Sequence, residues 1–112
     1  MSGTGSDGDG PAGAVVTVFR SRLRPEAVAE YEETADRMDE LVRAMPGFVD
    51  YKTFTADDGE RVTVVTFGSL EQHRAWRDHP EHREAQRLGR ERFYQSYAIQ
   101  VGTGVRETRF PH

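Results

Sequence analysis

Two kinds of chemically capable side chain recur at helical spacing in one stretch of this chain: the imidazoles of His73 and His82, and the indole of Trp76. Imidazole titrates near neutrality, so a histidine can take or give a proton at physiological pH. Indole offers a broad flat surface on which a planar organic molecule can lie. Residues 69–97 hold the only tryptophan and three of the four histidines. Trp76 follows His73 by one helical step and Leu70 by two, so the three face the same way. On that face Trp76 either packs a core or lines a pocket for a flat ligand. His82 either serves as a general base or bonds water or backbone in a first helical turn; for His73, nearer the core, packing competes. Gln72 stands one turn before Trp76. Its amide can donate to a developing oxyanion, or it can close a capping box with Ser69, three residues earlier.

Other groups in the stretch carry weaker signals. His79, Glu81 and His82 invite a metal reading. Paired histidine ligands on a helix stand four apart on one face, however, and Pro80 turns the backbone between these two. A helix-start motif explains them better, and no metal site is expected. Gly89 costs a helix about 1 kcal/mol relative to alanine. It shares a stripe with His82, Ala85 and Phe93, so a pocket floor or a close helix–sheet contact would account for it. Arg87, Arg90 and Arg92 read as a solvated face, with Arg90 or Arg92 available to an acidic ligand. Tyr51, Phe67, Phe93 and Trp76 are candidate walls of a pocket.

These groups need elements to hold them. Residues 14–20 are β-branched and read as a strand. Pro25 opens a helix in which Val28, Tyr31, Ala35, Met38, Leu41 and Met45 recur at three- and four-residue steps. Glu33 and Arg37 add an i,i+4 pair, and Pro46-Gly47 ends the helix. Residues 48–55 and 61–67 are strands joined by a turn at Asp57-Asp58-Gly59. Ser69 caps a helix, Asp78 with Glu81 caps a second one across Pro80, and residues 97–105 form the last strand. The order strand, helix, strand, strand, helix, strand is the split βαβ pattern of an α+β, ferredoxin-like domain with an antiparallel sheet. Residues 14–107 make that domain. Residues 1–13, rich in Gly, Ser and Asp without a large apolar side chain, form a disordered N-terminal tail, and residues 108–112 are a C-terminal tail.

The 112 residues suffice for one modest core. No cysteine is present, which removes disulfides, thiolate metal sites and a cysteine nucleophile, and fits a cytoplasmic protein. The tail lacks the character of a secretory signal, and no apolar run can span a membrane. Charge is uneven about a net −4: residues 26–60 carry eleven acids against Arg37, Arg43 and Lys52, whereas residues 61–95 carry seven arginines against five acids. That second half can attract an anionic small molecule but is too mixed for a nucleic-acid surface. The strands are apolar on both faces. Val15 and Phe19 oppose Val16 and Val18; Val62 and Val64 oppose Val65 and Phe67; Phe48 and Phe54 oppose Val49 and Tyr51. Two helices cover only one face, and four or five large side chains left wet forgo about 1.5–3 kcal/mol each. A homodimer formed through the sheet faces is therefore expected.

The strands VVTVFR and TVVTF, the helix ending in MPGF, and above all the segment HRAWRDHPEHREAQRLGRERFYQSYAIQV together resemble the antibiotic biosynthesis monooxygenase family of the dimeric α+β barrel superfamily. The resemblance covers residues 14–107. It implies a pocket between helices and sheet that hosts different chemistries in different members: cofactor-free oxygenation of aromatic polyketides, haem degradation, or ligand binding without a reaction. It implies a tryptophan at position 76 in both oxygenases and haem degraders. In the polyketide oxygenases it implies a substrate-contacting tyrosine where this chain has His82, and an asparagine where it has Gln72. The haem degraders pair a first-strand asparagine with that tryptophan and with a histidine nine or ten residues later. This chain has no asparagine, and Ala85 and Gln86 occupy those positions. The expectation is a cofactor-free monooxygenase of a small aromatic or enolic molecule, with His82, His73, Trp76 and Gln72 as catalytic candidates and Tyr51, Phe67, Phe93 and Arg90 contacting substrate. A non-catalytic dimeric ligand-binding protein is the alternative, and haem the weaker one.

Overall fold

The computed structural model describes residues 9–10 and 13–111. Most of the expected N-terminal tail, and residue 112, lie outside the described residues. A two-residue strand, β1 (Asp9–Gly10), pairs with the equally short β6 (Glu107–Thr108). The main sheet has four antiparallel strands: β2 (Val15–Leu23), β3 (Phe48–Thr55), β4 (Arg61–Phe67) and β5 (Tyr94–Thr103), in the spatial order β3-β4-β2-β5. Helix α1 (Val28–Arg43) follows β2; α2 (Leu70–Arg77) and α3 (Pro80–Leu88) separate β4 from β5. This is the α+β, ferredoxin-like arrangement expected from the order of elements.

Register decides which side chains meet the helices. Thr17 lies opposite Val65 and Val101, and Phe19 opposite Thr63 and Ile99. Opposed residues share a face, so these belong to the helix side. Val16, Val18, Val62, Val64 and Ala98 belong to the other, which no helix covers. Strand β3 departs from simple alternation. A register shift between Phe48 and Asp50 sets Phe48 opposite Phe67 and Tyr51 opposite Val65, so Phe48 and Tyr51 share the helix side. Phe54, opposite Val62, turns to the open face. Alternation alone sets Phe48 against Tyr51; one extra residue in the strand reverses that.

Local signals account for the helix ends. Pro25 opens a 3-10 turn, and the α-helix begins only at Val28. Ser69 Oγ accepts the Gln72 N–H at 3.2 Å, as a cap should. The cap of α3 is His79 rather than Asp78: its Nδ1 accepts the Glu81 N–H at 3.1 Å, while Asp78 ends α2 and pairs with Arg77. Arg37 also departs from expectation. It bonds Glu81 twice at 3.0 Å and ties α1 to α3, and its partner along its own helix is Glu40, at 3.8 Å, rather than Glu33. The hairpin turn holds Gly59 at φ +90°, a conformation that favours glycine. The core is small: Val42 and Phe67 are fully enclosed, with Val65 and Trp76 beside them and Met38, Leu41, Met45, Phe48 and Tyr51 packed around.

Candidate active site

The helices do not close completely over the sheet. Between α1, α2, α3 and the β2–β5 side lies a cavity of about 320 Å³. That is the size of a small-molecule site. All four tyrosines of the chain, Tyr31, Tyr51, Tyr94 and Tyr97, line it with Trp76, Phe19 and Phe93. Their rings brace one another: Phe19 stacks on Tyr97 at 5.6 Å, and Tyr31 meets Phe93 and Tyr94 edge-on at 6.0 Å.

Gly89 makes that wall possible. A π-helical turn, Gly89–Phe93, joins α3 to β5 and delivers Phe93, Tyr94 and Arg90 to the cavity. A Cβ at residue 89 would overlap the Tyr94 ring. Of the two readings of this glycine, the helix–sheet contact is the one observed.

His82 is the most constrained polar group in the cavity. Its ring stacks on Trp76 with centroids 4.2 Å apart and planes 15° from parallel. Its Nδ1 lies 3.0 Å from the Trp76 carbonyl oxygen, which also accepts the His79 N–H at 3.1 Å at the C-terminal end of α2. A carbonyl can only accept, so Nδ1 carries the proton. The neutral ring therefore keeps a bare lone pair on Nε2. Burial pushes the His82 pKa below the ordinary 6.5, although the bonds to the Trp76 and Arg77 backbone oppose this. His73 is buried and lines the same cavity. Its pKa is also lowered, first by burial and then by the positive charges of Arg77 and Arg74. At neutral pH both rings can accept a proton.

The tyrosines behave oppositely. Burial raises Tyr31, pushes Tyr51 up to about 12 and raises Tyr94 further. These phenols stay protonated, so each can donate a hydrogen bond to negative charge on a ligand. The proton-accepting role is left to the histidines.

Six of the eight residues singled out from the sequence meet at this cavity: His82, His73, Trp76, Tyr51, Phe93 and Arg90. Phe67 does not. It is fully buried in the core, edge-on to Phe48 at 6.3 Å. Gln72 does not line it either. Its amide occupies the space over Gly47, which sits at φ +79°, where any Cβ would collide with it. Trp76 belongs to the buried core cluster and also lines the cavity. His79, Glu81 and His82 do not converge, since each already has a different partner. Among the described residues no group of three His, Asp or Glu side chains is placed to hold a metal ion.

The cavity also contains residues not singled out from the sequence: Tyr31, Tyr94, Tyr97, Phe19 and Gln86. Gln86 was the most accessible to reasoning, because it stands four residues after His82 and so on the same helical face. Among the described residues no helix is long and apolar enough to cross a membrane.

The comparisons agree with this architecture. The profile of the family described as antibiotic biosynthesis monooxygenase matches residues 14–88. The uncharacterized protein YqjZ of Bacillus subtilis (strain 168) is 36% identical over 93 residues, 83% of this chain and 82% of YqjZ. Among solved structures, SnoaB, a cofactor-independent oxygenase from Streptomyces nogalater, superposes with a TM-score of 0.73 at 19% identity, over 90% of this chain and 100% of that one. Rv0793 from Mycobacterium tuberculosis gives 0.72 at 23%, over 80% and 92%. At those identities the structures speak for the fold, while the profile and the Bacillus relative speak for kinship. The chain belongs to the antibiotic biosynthesis monooxygenase family.

Proposed function

We propose that the protein is a cofactor-independent monooxygenase that oxidises an aromatic or enolic, polyketide-type substrate with dioxygen. The observation that carries this reading is His82: a neutral imidazole, fixed by the Trp76 carbonyl in the tautomer that leaves Nε2 free, in an aromatic cavity large enough for a planar ligand. The fold likeness to SnoaB supports it as well. Nε2 takes the proton from a phenol or enol of the substrate. The resulting anion is electron-rich and transfers one electron to dioxygen, giving a substrate radical and superoxide. These combine at carbon to form a hydroperoxide after protonation. Loss of water from it leaves a new carbonyl. Overall a CH₂ group and O₂ become C=O and H₂O, with the substrate as the reductant, so neither metal nor flavin is required. The tyrosine phenols donate to the anion, and the enclosed end of the cavity, at Trp76 and Phe93, is its driest part. Histidine, acting through Nε2, stands in for the tyrosine that the family resemblance implies at this position.

The working unit in this reading is a cytoplasmic homodimer. Val16, Val18, Val62, Val64, Phe54 and Ala98 lie on the sheet face that no helix covers, and Phe54 is 51% exposed. A second sheet packed there would bury them.

Oxygen uptake with a 1,8-dihydroxyanthrone tests the activity. Consumption of one O₂ per quinone formed is expected. With His82→Ala, kcat is expected to fall by about 10²–10⁴-fold, the usual contribution of a general base. Tight binding of the anthrone with no enzyme-dependent oxygen uptake would reduce the protein to a ligand carrier.

A further inference from the structure

The chain as a whole is acidic; with His73 and His82 neutral at pH 7 and Arg77 paired with Asp78, Arg90 leaves one uncompensated positive charge in the cavity. The cavity lining includes Arg77, Arg90, His73 and His82 but no Asp or Glu, in a protein of net charge −4. The arginines elsewhere are mostly engaged. Arg20, Arg22, Arg37, Arg43, Arg87 and Arg92 each pair with a carboxylate, and Arg77 pairs with Asp78. Arg90 has no carboxylate partner among the described residues, and it stands exposed at the cavity's edge.

Its position along the chain is equally informative. His82, Gln86 and Arg90 follow at four-residue steps, and all three line the cavity. Four-residue steps stack side chains on one helical face. The Gln86 amide has no hydrogen-bond partner among the described residues and is half-buried. One wall of the cavity is therefore a row of three polar heads: a proton acceptor, an amide and a guanidinium. Six of the eight steps are α-helical at about 1.5 Å each and the last two enter the tighter π-turn, so the first and last backbone positions are at most about 12 Å apart. The opposite walls are aromatic.

We propose that Arg90 selects an elongated planar aromatic acid, whose carboxylate it binds at the cavity edge while the ionisable hydroxyl lies at His82 and an intermediate ring oxygen meets Gln86. This rests on the function proposed above and narrows its substrate to one with an anionic group about three fused rings from the ionisable hydroxyl. A guanidinium suits a carboxylate because its parallel N–H bonds match the two oxygens. Arg90 is a specificity residue. It does not touch the reacting atoms.

Calorimetric titration of the full-length protein with anthracene-2-carboxylate and with the matching carboxamide tests the proposal without turnover. The two probes share shape and differ in charge. The carboxylate is expected to bind about 5–10-fold more tightly, an effect of the size expected for a partly screened ion pair. The preference should weaken with added salt. It should shrink to near unity in Arg90→Gln, persist in part in Arg90→Lys, and reverse in Arg90→Glu. The side chain is exposed, and a circular dichroism melt matching wild type confirms that each variant folds. Equal binding of both probes to the wild type, a preference that survives Arg90→Gln, or no binding of either would overturn it. Loss of oxygen uptake with the carboxylate preference intact would instead count against the oxygenase reading alone.

Discussion

Trp76 and His82 act as one unit. The indole supplies a ring for the imidazole to stack on, and its backbone carbonyl chooses the imidazole's tautomer. Trp76→Ala removes both a core wall and a cavity wall, and is expected to cost about 3–5 kcal/mol of stability by urea denaturation. Trp76→Phe should fold but hold the substrate less tightly, raising KM more than it lowers kcat. The two histidines give a pH signature. Because burial lowers the His82 pKa, kcat/KM should be flat at neutral pH and decline on the acid side with an inflection below 6.5. An inflection above 6.5 would mean that a different group carries the proton.

At the level of elements, local pattern explains much and fails where tertiary contacts intervene. Strand β4, α1 and the break at Pro80 were legible because a β-branched run, three- and four-residue spacing and a proline marked them; the cap of α3 was not, since His79 rather than Asp78 supplies it. The face assignment within β3 was not, since a register shift leaves no mark in a run of β-branched and aromatic residues. The same lack of marking hid Phe67: its place among Val42, Val65 and Trp76 depends on how α2 folds back, which spacing within the strand does not record. Gln72 was readable as a cap neighbour but not as the group over Gly47, because the two are brought together only by the fold. The junction of α3 and β5 also depends on one such contact. Gly89→Ala would gain about 1 kcal/mol of helix propensity. It would also force the Tyr94 ring out of a packed aromatic cluster, at a cost of about 1–3 kcal/mol. A net fall in Tm is expected, together with weaker ligand binding. A rise in Tm would show that the Tyr94 ring is free to move.

For the whole molecule, sheet and helices define two separate apolar surfaces. One is folded inward as the cavity. The other is the open sheet face, for which the reading above supplies a second chain. Sedimentation equilibrium should give about twice the 12.7 kDa chain mass, and Val64→Lys, which charges the centre of that face, should return the monomer. A wild-type monomer at micromolar concentration would remove the dimer from the account. Stability should also follow pH through the buried histidines. Their folded-state pKa values lie below the unfolded 6.5, so the unfolded chain binds more protons in the window beneath 6.5. Stability from this source is complete above that value and is lost as the pH falls toward the folded pKa. Urea midpoints at pH 7.5 and 5.5 should differ, and the difference should narrow when His73 and His82 are both replaced by Gln.

The protonation state of one ring underlies all of this, and nitrogen-15 NMR of the histidine side chains reads it directly. The account predicts that, at neutral pH, His82 shows a protonated Nδ1 and a bare Nε2, and that it titrates below 6.5. A His82 protonated on Nε2, or one that titrates as a free imidazole does, would contradict it.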